Sequence, residues 1–144
     1  VSSAGALATG VPATPPHVGT LAPDEVESGC GCVFRAVPTP DDAGRVVVYW
    51  LRGRSAKMRI DGRLEVLDVR EESPRGEAAR PLAPGEHLRF ALANERARVS
   101  IACTVTDACP EDALECEATG LAARIVVQSA SRTTESSAVG ECGC

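Results

Sequence analysis

The clearest pattern in the chain runs from Arg96 to Thr106. Ala97, Val99, Ile101, Cys103 and Val105 fall on one side of it, and Arg98, Ser100, Ala102, Thr104 and Thr106 on the other. A period of two held over that length predicts a half-buried strand. Leu121 to Ala130 supplies a partner with Ile125 and Val127 facing inward, and His87 to Leu92 repeats the alternation with Leu88, Phe90 and Leu92 inside. Val46 to Leu51 is apolar on both faces and reads as a central strand. A first strand is expected at Cys32–Ala36, closed by Pro38 and by the turn-forming run from Pro40 to Gly44. Asp61-Gly62 is the strongest hairpin signal; it joins Lys57–Ile60 to Arg63–Val66, with Met58, Ile60, Leu64 and Val66 expected on one face. Val139–Cys144 adds a short last strand. Glu71–Gly85, with Pro74, Pro81 and Pro84, reads as an irregular loop, and Asp112–Ala118 hints at a turn or two of helix.

Seven or eight short strands without intervening amphipathic helices argue for an antiparallel sandwich or barrel. Of these we expect an all-β antiparallel sandwich, immunoglobulin-like or jelly-roll-like. Residues 1–28 differ from the rest. They are rich in Ala, Gly, Pro, Ser and Thr, show no sustained period, and read as an extended N-terminal arm or linker ahead of a β-domain at 29–144.

The cysteines sharpen this picture. Seven in 144 residues, placed near both ends of the domain and around one loop, suit staples formed in an oxidising compartment. Cys109 and Cys116 flank the turn after the strongest strand and are the best single pairing. Cys30-Gly31-Cys32 is echoed by Cys142-Gly143-Cys144. In an extended strand the two thiols of each motif share a face, so adjacent strands would form a double staple. Antiparallel neighbours would pair Cys30 with Cys144 and Cys32 with Cys142; parallel neighbours would pair Cys30 with Cys142 and Cys32 with Cys144. An odd count leaves one thiol over, and Cys103, among inward apolar residues, is the expected free buried one. The competing reading gathers the four terminal thiolates into a soft Zn(II) or Cu(I) site, or uses them for thiol exchange. The zinc-finger spacing Cys-x2-4-Cys is missing, however, and an exported chain meets oxidant before metal.

Charge and composition mainly exclude. Fifteen basic against twenty acidic residues give −5, interspersed along the chain, which is no footprint for nucleic acid or an anionic membrane. Lys57 is the single lysine, and the Arg, Ala, Val, Gly and Pro bias fits a GC-rich bacterial genome. No apolar run reaches the length of a transmembrane helix, and the start at Val1 is what removal of a leader would leave. The only histidines are His17, in the arm, and His87, on the outward face of a strand, so no nucleophile and base pair is in view. No cofactor fingerprint is present, and Asp107, Glu111, Asp112, Glu115 and Glu117 lack the calcium-loop pattern. Phe34, Tyr49, Trp50 and Phe90 lie in apolar runs and are expected in or near the core.

The order Cys30-Gly31-Cys32, Met58-Arg59-Ile60-Asp61-Gly62-Arg63, Cys109-Pro110 to Cys116 and Cys142-Gly143-Cys144 resembles a group of exported bacterial proteins with no assigned activity. The resemblance covers residues 30–144; it implies export and a compact stapled domain and transfers no functional residue. The expected role is a non-enzymatic extracytoplasmic structural or assembly protein without a cofactor. It would self-associate, even into filaments, by laying its arm on a neighbour's sheet edge, with Val11, Val18 and Leu21 as contacts. The alternative is a monomeric periplasmic or lipid-tethered module that uses its Cys-Gly-Cys pairs for metal or thiol chemistry.

Overall fold

The computed structural model describes residues 14–37, 45–73, 83–107 and 118–143. A short 3-10 turn at Pro23–Glu25 precedes eight strands: β1 (Gly31–Ala36), β2 (Val46–Leu51), β3 (Ala56–Ile60), β4 (Arg63–Ser73), β5 (His87–Ala93), β6 (Ala97–Asp107), β7 (Ala118–Ser129) and β8 (Arg132–Gly143). Each strand pairs antiparallel with the next, and β8 pairs with β1, so the sheet closes on itself as a barrel.

The expected sandwich is therefore wrong. A sandwich has two sheets with free edges and connections that cross between them, whereas here every connection joins adjacent strands and the ring has no edge. Period-two alternation reports only that one face of a strand is buried, which holds equally for a sandwich sheet and a barrel wall. What separates them is the meeting of Gly31–Ala36 with Ala138–Gly143, a pairing between the two ends of the domain.

An eight-stranded barrel has an interior just wide enough for side chains to fill. Here Val48, Met58, Leu67, Leu92, Val99, Ile101, Leu121, Ile125 and Val127 fill it, all essentially without exposure. Phe34, Trp50 and Phe90 form an aromatic cluster, with centroids 5.0 Å apart for Trp50 and Phe90 and 5.8 Å for Phe34 and Trp50. Phe34 lies opposite Gly140 on β8, and a Cβ at Gly140 would come within 2.3 Å of the Phe34 ring, so only glycine fits there. The outward residues of β6 are polar or small: Arg98, Ser100, Ala102, Thr104 and Thr106. On this strand apolar residues face in and polar ones out, the inverse of a strand that faces lipid. No helix among the described residues is long and apolar enough to cross a membrane.

Two local expectations also change. Asp61 and Gly62 sit at φ 52° and 78°, the backbone of a tight two-residue hairpin turn. Such a turn sets Ile60 opposite Arg63 and Met58 opposite Glu65. Directly opposed residues share a face, so Met58 and Ile60 face inward with Glu65, while Leu64 and Val66 point outward and are exposed. The last strand, in turn, begins at Arg132 rather than at Val139 and is as long as β7. The Asp112–Ala118 helix lies outside the described residues, except that Ala118 opens β7.

Candidate functional site

The barrel wall is uneven, and its weaker side gathers most of the chemistry-bearing residues. The β7–β8 register runs unbroken from Ala118↔Gly143 to Ser129↔Arg132. By contrast, β2 and β3 are paired only at Val48↔Met58 and Tyr49↔Lys57, and β1–β2 carries a bulge between Phe34 and Arg35. Towards Val46 and Ile60 the strands β2 and β3 diverge, and the N-terminal arm enters the gap.

On the β3 side of that gap, Val18 forms an antiparallel bridge with Ile60. The Gly19 N–H donates to Arg59 O at 3.0 Å and the Asp61 N–H to His17 O at 2.8 Å. On the β2 side, the Leu21 N–H donates to Val46 O at 2.8 Å. Leu21 is 4 % exposed and Pro16 is buried. Side chains clamp the arm at both ends. Asp61 accepts from the His17 N–H and from Arg132, whose guanidinium also reaches Thr14 O. Glu25 accepts from the Ala22 N–H and pairs with Arg59, and the Tyr49 hydroxyl donates to Glu25 O at 2.9 Å. These partners hold both carboxyls below the usual carboxylate range: the His17 N–H and then Arg132 for Asp61, the Ala22 N–H and then Arg59 for Glu25. Tyr49 is buried under this cover, which explains why β2 is apolar on both faces. The fit is incomplete, since cavities of about 660 Å³ beside Leu21, Ala22, Val26 and Val46 and about 300 Å³ beside Val26–Gly29 and Leu51 border the arm.

The closing seam between β1 and β8 carries a disulfide. Cys32 lies directly opposite Cys142 in antiparallel register, with Cα atoms 4.1 Å apart, and the two are joined across a sequence separation of 110. This is the pairing antiparallel neighbours would give. Cys30 is disulfide-bonded too, while Cys144, its partner in the antiparallel alternative, lies outside the described residues. Cys109, Cys116 and Val11 also fall outside them. Cys103 is a free thiol, 3 % exposed on the inner face of β6, and desolvation pushes its pKa up to about 12. A bond such as Cys32–Cys142 forms and lasts in oxidising compartments.

Beside the seam, one mouth of the barrel opens into a cavity of about 880 Å³. Trp50, the Cys32–Cys142 bond, Arg52 and Arg54 of the β2–β3 turn, and Asp68 and Glu72 of β4 are among its lining. Among the described residues no cluster of three or more His, Cys, Asp or Glu side chains is arranged to hold a metal ion. His17 and His87 sit on separate elements, the arm and β5, and both are exposed.

At the opposite end lies a residue that sequence reasoning passed over. Glu65, 4 % exposed, accepts from Arg96 Nη2 at 3.0 Å and from Asn94 Nδ2 at 2.9 Å. The Asn94 Oδ1 in turn accepts from the backbone N–H groups of Arg96 and Ala97 and so shapes the β5–β6 turn. Arg96 first, and then Asn94, hold the Glu65 carboxyl below its ordinary range in spite of burial. Counting inward residues across the Asp61-Gly62 turn would have found it. Likewise, the matched Cys-Gly-Cys motifs, taken as staples, put the first strand beside the last, which is the pairing that completes the ring. No family model, curated protein or solved structure matches the chain.

Proposed function

We propose that the chain is a non-enzymatic, extracytoplasmic structural domain that self-associates through its N-terminal arm. The observation that carries this reading is the seat between β2 and β3. It is a gap in a barrel wall that takes up extended backbone by main-chain hydrogen bonds, which is the chemistry of strand addition. A bland Pro, Val, Gly and Thr sequence suffices for such an arm, because the bonds come from the backbone. The filled interior and the covalent seam give the domain a rigid body suited to assembly, and the bridge suits an oxidising setting outside the cytoplasm. Val18 and Leu21 occupy the chain's own seat. Light scattering on the full chain over a wide concentration range tests the reading. Concentration-dependent oligomers that Leu21→Asp abolishes are expected, and a monomer at every concentration would overturn it.

A second reading, a monomeric module working at the cavity beside Cys32–Cys142, has the volume and the mixed charges of that mouth in its favour. Metal binding there would need the bond reduced first, because a disulfide sulfur is no longer a thiolate. Elemental analysis with free-thiol counting decides. Bound metal, or titratable thiols at the four terminal cysteines, would favour this module over the structural reading.

A further inference from the structure

We infer that the seat between β2 and β3 accepts the arm of a second copy, so that two chains associate by exchanging residues 17–21. The inference rests on the self-association proposed above and names the surface and the occupant. Three observations carry it. The seat takes up extended backbone: His17, Gly19 and Leu21 bond to backbone groups of Asp61, Arg59 and Val46, and Leu21 is the side chain it buries. An arm from another copy makes the same bonds, so exchange loses none of them. The hold is local. Between the buried Leu21 and Cys30 the chain is held chiefly through Glu25, and cavities border it on both sides of that contact. The pivot is fixed: Cys30 is disulfide-bonded and its carbonyl accepts from the Arg52 N–H, so release of the arm stops there and leaves the barrel intact. From Leu21 to Cys30 the extended chain reaches up to about 30 Å, enough to cross from one barrel to a neighbour in contact with it once the Glu25 contacts to Arg59 and Tyr49 are given up.

The test uses two full-length single variants, Gly19→Cys and Arg59→Cys. A Cβ built on Gly19 lies 3.5 Å from the Arg59 Cβ, inside the separation a disulfide needs. Mixed at high concentration and oxidised, the pair is expected to give a heterodimer whose peptide map shows a bond between positions 19 and 59. Adding Leu21→Asp to both chains should lower its yield at least about tenfold. Light scattering on the unaltered chain separates the two ways of failing. If that chain dimerises but the mixture forms no bond between 19 and 59, exchange is overturned and self-association stands. If it remains monomeric throughout, both are overturned.

Discussion

The two sides of this barrel are built on different principles. On one side β6, β7 and β8 are long, pair in nearly continuous register, and bury a row of branched residues in which Ile101 faces Ile125 and Val99 faces Val127. On the other side β1, β2 and β3 are short, bulged or barely paired, and additions from elsewhere hold them: a disulfide across β1–β8 and an arm in the gap between β2 and β3. A continuous ladder with a filled face needs no props. An interrupted ladder leaves backbone groups that something else must satisfy, and here a single segment ahead of the barrel satisfies them.

This contrast can be broken from either side. The largest effect is expected at the seam. Replacing Cys30, Cys32, Cys142 and Cys144 together with Ser, so that neither Cys-Gly-Cys motif keeps a cross-link, should lower unfolding free energy by up to about 4–5 kcal/mol in the chain-entropy picture of a loop this long, measured by urea denaturation. A loss under about 1 kcal/mol would show that the β1–β8 ladder stands without its staple. Next comes the laddered side, where Ile125→Ala should cost about 3 kcal/mol or more by emptying a site with no exposure. If the seam variant proves milder than this one, the props matter less than the ladder.

Smaller still is the Glu65 pair. Its carboxyl sits below the ordinary range when folded, so its contribution is present above the unfolded carboxyl's pKa and is lost as pH falls through the folded value. Glu65→Gln should therefore cost about 1–3 kcal/mol at neutral pH, and the gap between variant and parent should close in acid. Urea midpoints over a pH series would show a constant gap if Arg96 and Asn94 were not responsible. The smallest effect concerns Cys103, whose thiol is pushed up to about 12 by burial. At mildly alkaline pH its thiolate fraction is about a thousandfold below that of an ordinary thiol. A thiol reagent should thus leave it unlabelled until the chain unfolds, and rapid labelling of the folded protein would show that β6 opens.

What could be read in the sequence follows the same division. On the laddered side Ala97 to Val105 announces its strand because buried apolar residues alternate with exposed or half-exposed ones over nine positions. Its neighbour β8 announces little. Gly140, on the face turned to the core, has no room for a side chain because Phe34 lies across it from β1, and Arg132, Thr134 and Ser136 precede it at the same spacing, so a full-length strand shows no apolar period. On the propped side local pattern fails for a different reason. The arm contributes only Val18 to a bridge and Leu21 to a buried site, too few residues for a period, and its partners Val46 and Ile60 are more than twenty residues away. Glu65 looks like a surface carboxylate until the two-residue turn is counted through, and Arg96, which neutralises it, lies 31 positions further on. Closure of the ring rests on one pairing between distant segments, which no local window contains.

That pairing also orders events in time. Seven of the eight strand pairings join neighbours in the chain, whose connections are all far shorter than the span of the eighth, which must bring Cys32 and Cys142 together from 110 residues apart. Contacts so distant carry the greatest loop-closure cost and form late. A nascent chain would thus pass through an open, curled sheet with both lateral edges exposed, and oxidation of the seam would turn a reversible last step into a latch. Before that moment the edges of β1 and β8 are open to misassociation; after it, reduction becomes the route by which the ring can be sprung.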